Sequence, residues 1–351
     1  MAEVGVLDKR NSFYQDDLDS VLGIPGMHNI FGKTFLITGP TGLIGLFLID
    51  VLMKYNKQGA NINVYAVGRN KQKAFARLGE YYNNPLFHFI EQDVREALPN
   101  DISPDWIIPL ASNTHPLAYS RFPVETIEIN VMGAAYALEM ASRCGAGVLY
   151  PSTVEVYGNA RGKDIFSEDY TGELNLFNAR SCYPESKRLS EALCLSYMAE
   201  KGVNVKIVRL SRVFGPTMMM SDSKASSQFI IKALKGEDIV LKSSGEQYFS
   251  YTYVADAVSA LLYVLLYGES GVAYNISNDN CNVHLKEFAF ACSAVSGTNV
   301  VFDLPSQEEQ KGYSVATQAI LDNNRLKGLG YQSHYTFFSS LERTIKILKN
   351  Q

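Results

Sequence analysis

Tyr183 and Lys187 stand four residues apart in the stretch RSCYPESKR (180–188). On a helix that spacing puts both side chains on one face, with about 6 Å between Cβ atoms. An ammonium so close to a phenol favours the phenolate and draws its pKa down from ~10, which suits the phenol to general acid or base work. The same pattern also fits a surface tyrosine and a surface lysine on an amphipathic helix, because it is short and common.

A second constellation lies near the start of the chain. Gly39, Gly42 and Gly45 in TGPTGLIG fall between a buried strand-like run and an apolar helical run, with Leu43 and Ile44 at the helix start. Small residues there let backbone approach a pyrophosphate, and a helix N-terminus supplies amides and the positive end of a dipole. A tight turn without a ligand is the alternative. The second strand then ends in Val67, Gly68, Arg69 and Asn70. Folds that select NAD put an acid here, whereas an arginine accommodates a 2′-phosphate. Arg69 therefore leans the reading to NADP, with NAD as the alternative, and a solvated arginine at a helix start also fits. The next strand ends expected to face such a cofactor hold Asp93 and Val94, then Leu110, Ala111 and Ser112.

The elements that must position these residues follow from hydrophobic periodicity. A short helical pattern spans 14–23. Strands are expected at 33–38, 63–69, 87–94, 105–112, 147–153 and 206–215, and helices after the glycine turn and over 71–82 and 124–145. A long helix follows RSCYPESK. Strand and helix alternate, which predicts α/β architecture with a doubly wound parallel sheet. After residue 211 the pattern turns irregular, which predicts a smaller C-terminal α/β lobe over the carboxyl end of the sheet, where ligands bind. The expected division is an extension over 1–30, a dinucleotide-binding domain over 31–210 plus about 252–278, and a substrate lobe over 211–251 and 279–351.

Composition narrows the function classes. The chain has 351 residues, 46% hydrophobic and 19% charged, which is the profile of an ordinary globular protein. A net charge of -4 gives no reason to expect nucleic acid or an anionic membrane as partner. Its five cysteines include no Cys-x-x-Cys pair, which fits a reducing cytoplasm better than a disulfide framework. The five histidines form no ligand-spaced cluster, so no metal is expected. The first residues are polar and acidic, unlike a signal peptide, and the longest apolar run, around 257–267, is too short for a bilayer.

The glycine turn, then PSTVEVYG (151–158), then YPESK (183–187) and VFGP (213–216) resemble the extended short-chain dehydrogenase/reductase family, specifically its nucleotide-sugar epimerase/dehydratase branch. SEDY (167–170), ARSCYPESKR (179–188), SQFIIKALKGE (227–237) and YTYVADAV (251–258) are similar to segments of UDP-glucuronate decarboxylases. The resemblance implies a Rossmann sheet and a nucleotide-linked sugar as substrate. It gives Thr153 the substrate oxygen, Tyr183 the proton of a hydroxyl being oxidised, and Lys187 the nicotinamide ribose. Glu155, two residues beyond Thr153 and on the same side of an extended stretch, becomes a general base candidate. Arg180, Arg212 and Gln247 become substrate contacts, and the helices at 124–145 and after Tyr183 a homodimer face. Gly133, Ala134, Ala135, Ala137, Leu189, Ala192 and Leu193 are the small and apolar residues expected there.

Four positions depart from the pattern. Val154 stands where dehydratases place an acid and decarboxylases a serine. Phe249 stands where relatives carry a phosphate-binding arginine. Arg212 replaces an asparagine, and Thr217 an arginine. Arg212 is the candidate to restore the lost charge, since a guanidinium suits phosphate bidentately; a structural ion pair is its alternative. The leading expectation is decarboxylase-like or epimerase chemistry, and the alternative is an NADPH-dependent net reductase of a nucleotide-linked keto sugar.

Overall fold

Buried runs of Val, Ile and Leu become neighbouring strands of one parallel sheet, the pattern expected where both faces of a sheet are covered. The computed structural model describes residues 7–114, 116–159, 165–303 and 317–349. In chain order the strands are β1 (Thr34–Thr38), β2 (Asn63–Gly68), β3 (Phe87–Glu91), β4 (Trp106–Pro109), β5 (Gly147–Thr153), β6 (Ile165–Phe166) and β7 (Val205–Leu210). They continue as β8 (Arg212–Phe214), β9 (Ile239–Leu241), β10 (Tyr248–Tyr253), β11 (Ala273–Ile276), β12 (Asn282–His284), β13 (Val300–Phe302) and β14 (Gln318–Leu321). The helices begin with α1 (Ser12–Leu22), α2 (Leu43–Lys57), α3 (Lys71–Leu78), α4 (Pro116–Arg121), α5 (Pro123–Cys144) and α6 (Cys182–Lys201). They end with α7 (Ala225–Lys235), α8 (Val254–Tyr267), α9 (Leu285–Ser296), α10 (Asn324–Gly328) and α11 (Phe337–Lys349).

The main sheet has seven strands in the order β11-β7-β5-β4-β1-β2-β3. Alternation along β1 shows how it is covered: Phe35 and Ile37 join one buried cluster with α2 and α8, while Leu36 joins another with α5 and α6. Strand order reverses between β1 and β4, and the crevice at such a reversal is where open α/β sheets bind ligands. The expected doubly wound α/β class is therefore observed.

Two features differ from expectation. The run at 206–215 is two strands: β7 ends at Leu210, and β8 leaves the main sheet to pair with Tyr251–Tyr253 of β10. Ser211 makes the corner, its buried hydroxyl 2.6 Å from that of Thr252. Apolar residues continue across the corner, so periodicity alone shows no break. The second difference is the leading segment, expected as an extension. Residues 1–6 lie outside the described residues, but α1 packs on α2, α8 and α11 as part of the core. Tyr14 donates to Asp50 of α2 at 2.5 Å, and Arg343 of α11 donates to Asp17 at 2.7 Å. The long apolar run forms α8, almost wholly buried, and among the described residues no helix is long and apolar enough to cross a membrane.

Candidate active site

The glycine turn is built for close approach. Gly39 has φ +67°, and a Cβ there would lie 2.8 Å from the Ala111 amide nitrogen. At Gly45 a Cβ would lie 2.4 Å from the Gly39 carbonyl oxygen. Gly42 is the N-cap of α2 and brings no side chain to cap it, leaving first-turn amides around Leu43 and Ile44 to meet an anion. Arg77 of α3 fixes the turn from outside, donating to the Thr41 carbonyl at 3.0 Å and to that of Thr217 at 2.6 Å. Thr217 is fully buried and its hydroxyl donates to the Leu43 carbonyl at 2.7 Å, so it braces the turn.

A cavity beyond this turn joins Thr38, Val94, Ala111, Asn130, Tyr150 and Lys187. It unites three residues expected to hold a cofactor with others that local spacing does not mark. Ser112 donates to Asn130 at 2.7 Å, and Asn130 donates to Ser186 at 2.8 Å, one turn from Tyr183. Leu110 packs against the core behind them. Asp93 is gripped by Arg95, which donates at 2.8 Å to Oδ2 and holds the carboxyl below its usual range. Arg69 pairs with Glu125 of α5 at the surface. A close-backbone turn, an uncapped helix start and an aligned lysine form a donor set that fits a dinucleotide.

Helix α6 presents the dyad. Pro184 sits in the first turn, where its missing N–H costs no hydrogen bond. Tyr183 and Lys187 are both buried, and Tyr183 stacks on Tyr119 with ring centres 5.5 Å apart. The Tyr183 phenol faces Thr153, which ends β5 and whose hydroxyl draws the phenol pKa down. Lys187 donates to the Pro151 carbonyl at 2.8 Å, and burial pushes its pKa down to about 8 against the opposing charge of Glu191. Spacing alone predicts a lowered phenol pKa; the structure gives the reverse. Burial raises it, the Glu155 carboxylate adds to the rise, and the nearby Thr153 hydroxyl opposes both. The ammonium is held by a carbonyl, and desolvation wins.

Glu155 also sits differently from expectation. The strand stops at Thr153 and a tight 3-10 turn, Val154–Tyr157, follows, started by the Glu155 amide donating to the Thr153 hydroxyl at 3.3 Å. The carboxylate nevertheless acts electrostatically on Tyr183, Tyr119, Cys182 and Arg212, so it faces the same pocket. Val154 is buried in the core. Arg180 lies 5.5 Å from the Tyr119 ring centre. The Gln247 side chain accepts from Ser243 at 3.4 Å within the lobe. Arg212 lies over Phe249, and burial lowers its pKa.

The residues expected on the helix face divide between buried and exposed. Ala134 and Ala137 are buried beneath α5, and Gly133 abuts Val94. The expected Ala192 is exposed, and the large exposed apolar residues on α5 and α6 are Val124 (67% exposed), Ile127, Leu189 (50%) and Leu195.

Residues 35–277 match the model of the NAD dependent epimerase/dehydratase family. UDP-glucuronic acid decarboxylase 1 of Xenopus tropicalis is 36% identical over 230 residues, 66% of this chain and 53% of that protein. UDP-glucuronic acid decarboxylase 6 of Arabidopsis thaliana is 35% identical over 245 residues, 69% of this chain and 68% of that protein. The chain thus spans about half the length of the Xenopus relative. Among solved structures, the dTDP-glucose 4,6-dehydratase DesIV of Streptomyces venezuelae, with NAD and TYD bound, superposes with TM-score 0.77 at 23% identity, covering 90% of this chain and 97% of that one. UDP-glucuronic acid 4-epimerase of Bacillus cereus, in complex with UDP-glucuronic acid and NAD, gives TM-score 0.75 at 21% identity, covering 90% and 99%.

Proposed function

We propose, because this chain belongs to the NAD-dependent epimerase/dehydratase family, that it converts a nucleotide-linked sugar, in the manner of a UDP-glucuronate decarboxylase or an epimerase, through transient oxidation of one sugar hydroxyl. The observation that carries this reading is the meeting of Thr153, Tyr183 and Lys187 at the end of β5, beside the glycine turn. Bound NAD would supply the hydride acceptor and, later, the donor, and its positive ring would offset the cost of a phenolate beside it. Gly39, Gly42 and Gly45, with the amides of Leu43 and Ile44, would take the pyrophosphate. Asp93 and Val94 would edge the adenine, Leu110, Ala111 and Ser112 would line the nicotinamide side, and Lys187 would hold the ribose.

Tyr183 removes the hydroxyl proton while the adjacent C–H bond gives up its electron pair, leaving a ketone whose oxygen Thr153 holds. A ketone makes the neighbouring carbon acidic. If that carbon carries a carboxylate, the C–C bond electrons pass to the ketone oxygen and CO₂ departs; Thr153 and Tyr183 then face the enolate. Glu155 is placed to move the proton at the neighbouring carbon. Incubating the chain with UDP-glucuronate and trace NAD, and following the sugar by NMR, should show a 4-epimer or a pentose with CO₂. No change in the sugar under those conditions would reject the proposal.

Arg69 favours a second reading, a net reductase consuming NADPH, because it stands at the β2 end with its side chain 56% exposed. Absorbance of NADPH falling in step with product would establish it. We further propose a homodimer through α5 and α6, using Val124, Ile127, Leu189 and Leu195, and a cytoplasmic setting that suits five free thiols. A monomer by sizing at micromolar concentration would contradict the dimer.

A further inference from the structure

Arg212 is a half-buried cation that closes no ion pair among the described residues. Its guanidinium carbon lies 3.5 Å from the centre of the Phe249 ring. Among the described residues it forms no hydrogen bond or ion pair, and its Nη1 is shut off from solvent without a partner. A guanidinium seated on an aromatic face keeps its N–H edges free, and those edges match an oxyanion bidentately. Arg212 is in register with Tyr251 on β10, two residues beyond Phe249, so β8 delivers a cation to the place where the sequence of β10 offers only a ring.

The surroundings say which end of a substrate this cation meets. Tyr251 on the paired strand acts on Arg212 with attraction, as do Glu155 and Tyr119, and Arg180 acts with repulsion; Tyr119 stacks on Tyr183. These groups flank the phenol, where the reacting sugar must lie. Glu155 draws on Arg212 without closing an ion pair. Two guanidinium groups against one carboxylate leave a single positive charge, which balances a monoanion.

We infer that Arg212, held on Phe249, is the receptor for a substrate oxyanion, and that this oxyanion is the carboxylate of a nucleotide-linked uronic acid. The inference rests on the function proposed above and narrows its substrate class. The diphosphate is the other source of the same chemistry, and UDP-glucose separates the two because it carries the diphosphate without the carboxylate.

The test is calorimetric binding of UDP-glucuronate and UDP-glucose to NAD-loaded full chain carrying Tyr183→Phe, which stops turnover. UDP-glucuronate should bind at least tenfold more tightly than UDP-glucose. Adding Arg212→Met should weaken UDP-glucuronate at least thirtyfold and leave UDP-glucose within threefold. Arg212→Lys, which keeps charge but loses the planar fork, should fall between. An equal loss for both sugars makes Arg212 a diphosphate contact and overturns the inference alone. Unchanged binding of both, with a lowered Tm, makes it a structural arginine and also overturns it. Binding of neither sugar before Arg212 is changed overturns the proposed function together with the inference.

Discussion

Two regions of this molecule bury charge, and they treat it in opposite ways. Beneath α1, Asp50 is almost fully buried and receives Lys9 at 2.6 Å, Tyr14 at 2.5 Å and Tyr81 at 2.9 Å. Asp17 nearby is held by Arg343 and Tyr253. At the candidate site, among the described residues, Arg212 has an aromatic face and no hydrogen-bond acceptor, and Glu155 closes no ion pair. A buried charge with every bond made has gone to fixing a helix. A buried charge with bonds left open costs stability, about 1–3 kcal/mol for one unsatisfied group, and that cost is sensible only where a ligand completes the set.

The largest expected effect tests the open side. Tyr183→Phe removes the phenol that faces Thr153. Turnover should fall by about 10²–10⁴-fold, the usual contribution of a positioned acid or base, while NAD affinity and Tm hardly move. A variant that keeps its turnover would remove Tyr183 from the chemistry.

The closed side should show the reverse. Asp50→Ala strands Lys9 and leaves two tyrosine hydroxyls without their acceptor. Breaking a buried pair in this way costs about 3–5 kcal/mol. Arg212→Met breaks no internal hydrogen bond and removes the unsatisfied group, so urea unfolding should show it no less stable than the parent chain, and up to about 1–3 kcal/mol more stable. Equal losses at both positions would erase the distinction between the two regions.

The contrast also marks what sequence could reveal. The glycine turn and the Tyr183–Lys187 dyad are legible because their function depends on local spacing along a turn or one helix face. Thr153 is legible through the motif around it. Arg212 on Phe249 depends on pairing between β8 and β10, strands that lie far apart in the chain, and no local pattern reports it. Arg77, Tyr119 and Asn130 act through partners on other elements for the same reason. The anchoring of α1 depends on Arg343, 326 residues beyond Asp17. Local periodicity read the α1 helix itself and missed its place in the core.

A pH titration sharpens the closed side further. Burial pushes the Asp17 carboxyl up to about 6, against the pull of Tyr253 and Arg343. An unfolded carboxyl titrates near ~3.9, so between about pH 4 and 6 the folded chain holds more protons than the unfolded one. Stability contributed by this group is therefore complete below about pH 4 and is lost as pH rises through 6, by about 3 kcal/mol. Asp17→Asn removes that slope. Urea unfolding at several pH values should show the parent chain losing stability relative to Asp17→Asn across this window, and parallel curves would refute the assignment.

Arg69 supplies the weak limit of the same comparison, a charge that is paired but exposed. Its bond to Glu125 joins β2 to α5 across solvent, and exposed pairs contribute only about 0–1 kcal/mol. Arg69→Ala should therefore leave Tm within a degree or two. Its effect on cofactor choice is the informative part. If Glu125 keeps the guanidinium, NAD binds more tightly than NADP, and Arg69→Ala changes neither affinity by more than about twofold, since a twofold change is only about 0.4 kcal/mol. If a 2′-phosphate can draw Arg69 away from Glu125, NADP affinity falls selectively on Arg69→Ala and rises on Glu125→Gln. Titrating both dinucleotides against these two variants decides whether this exposed pair is a bystander or the selector that its position at the end of β2 allows.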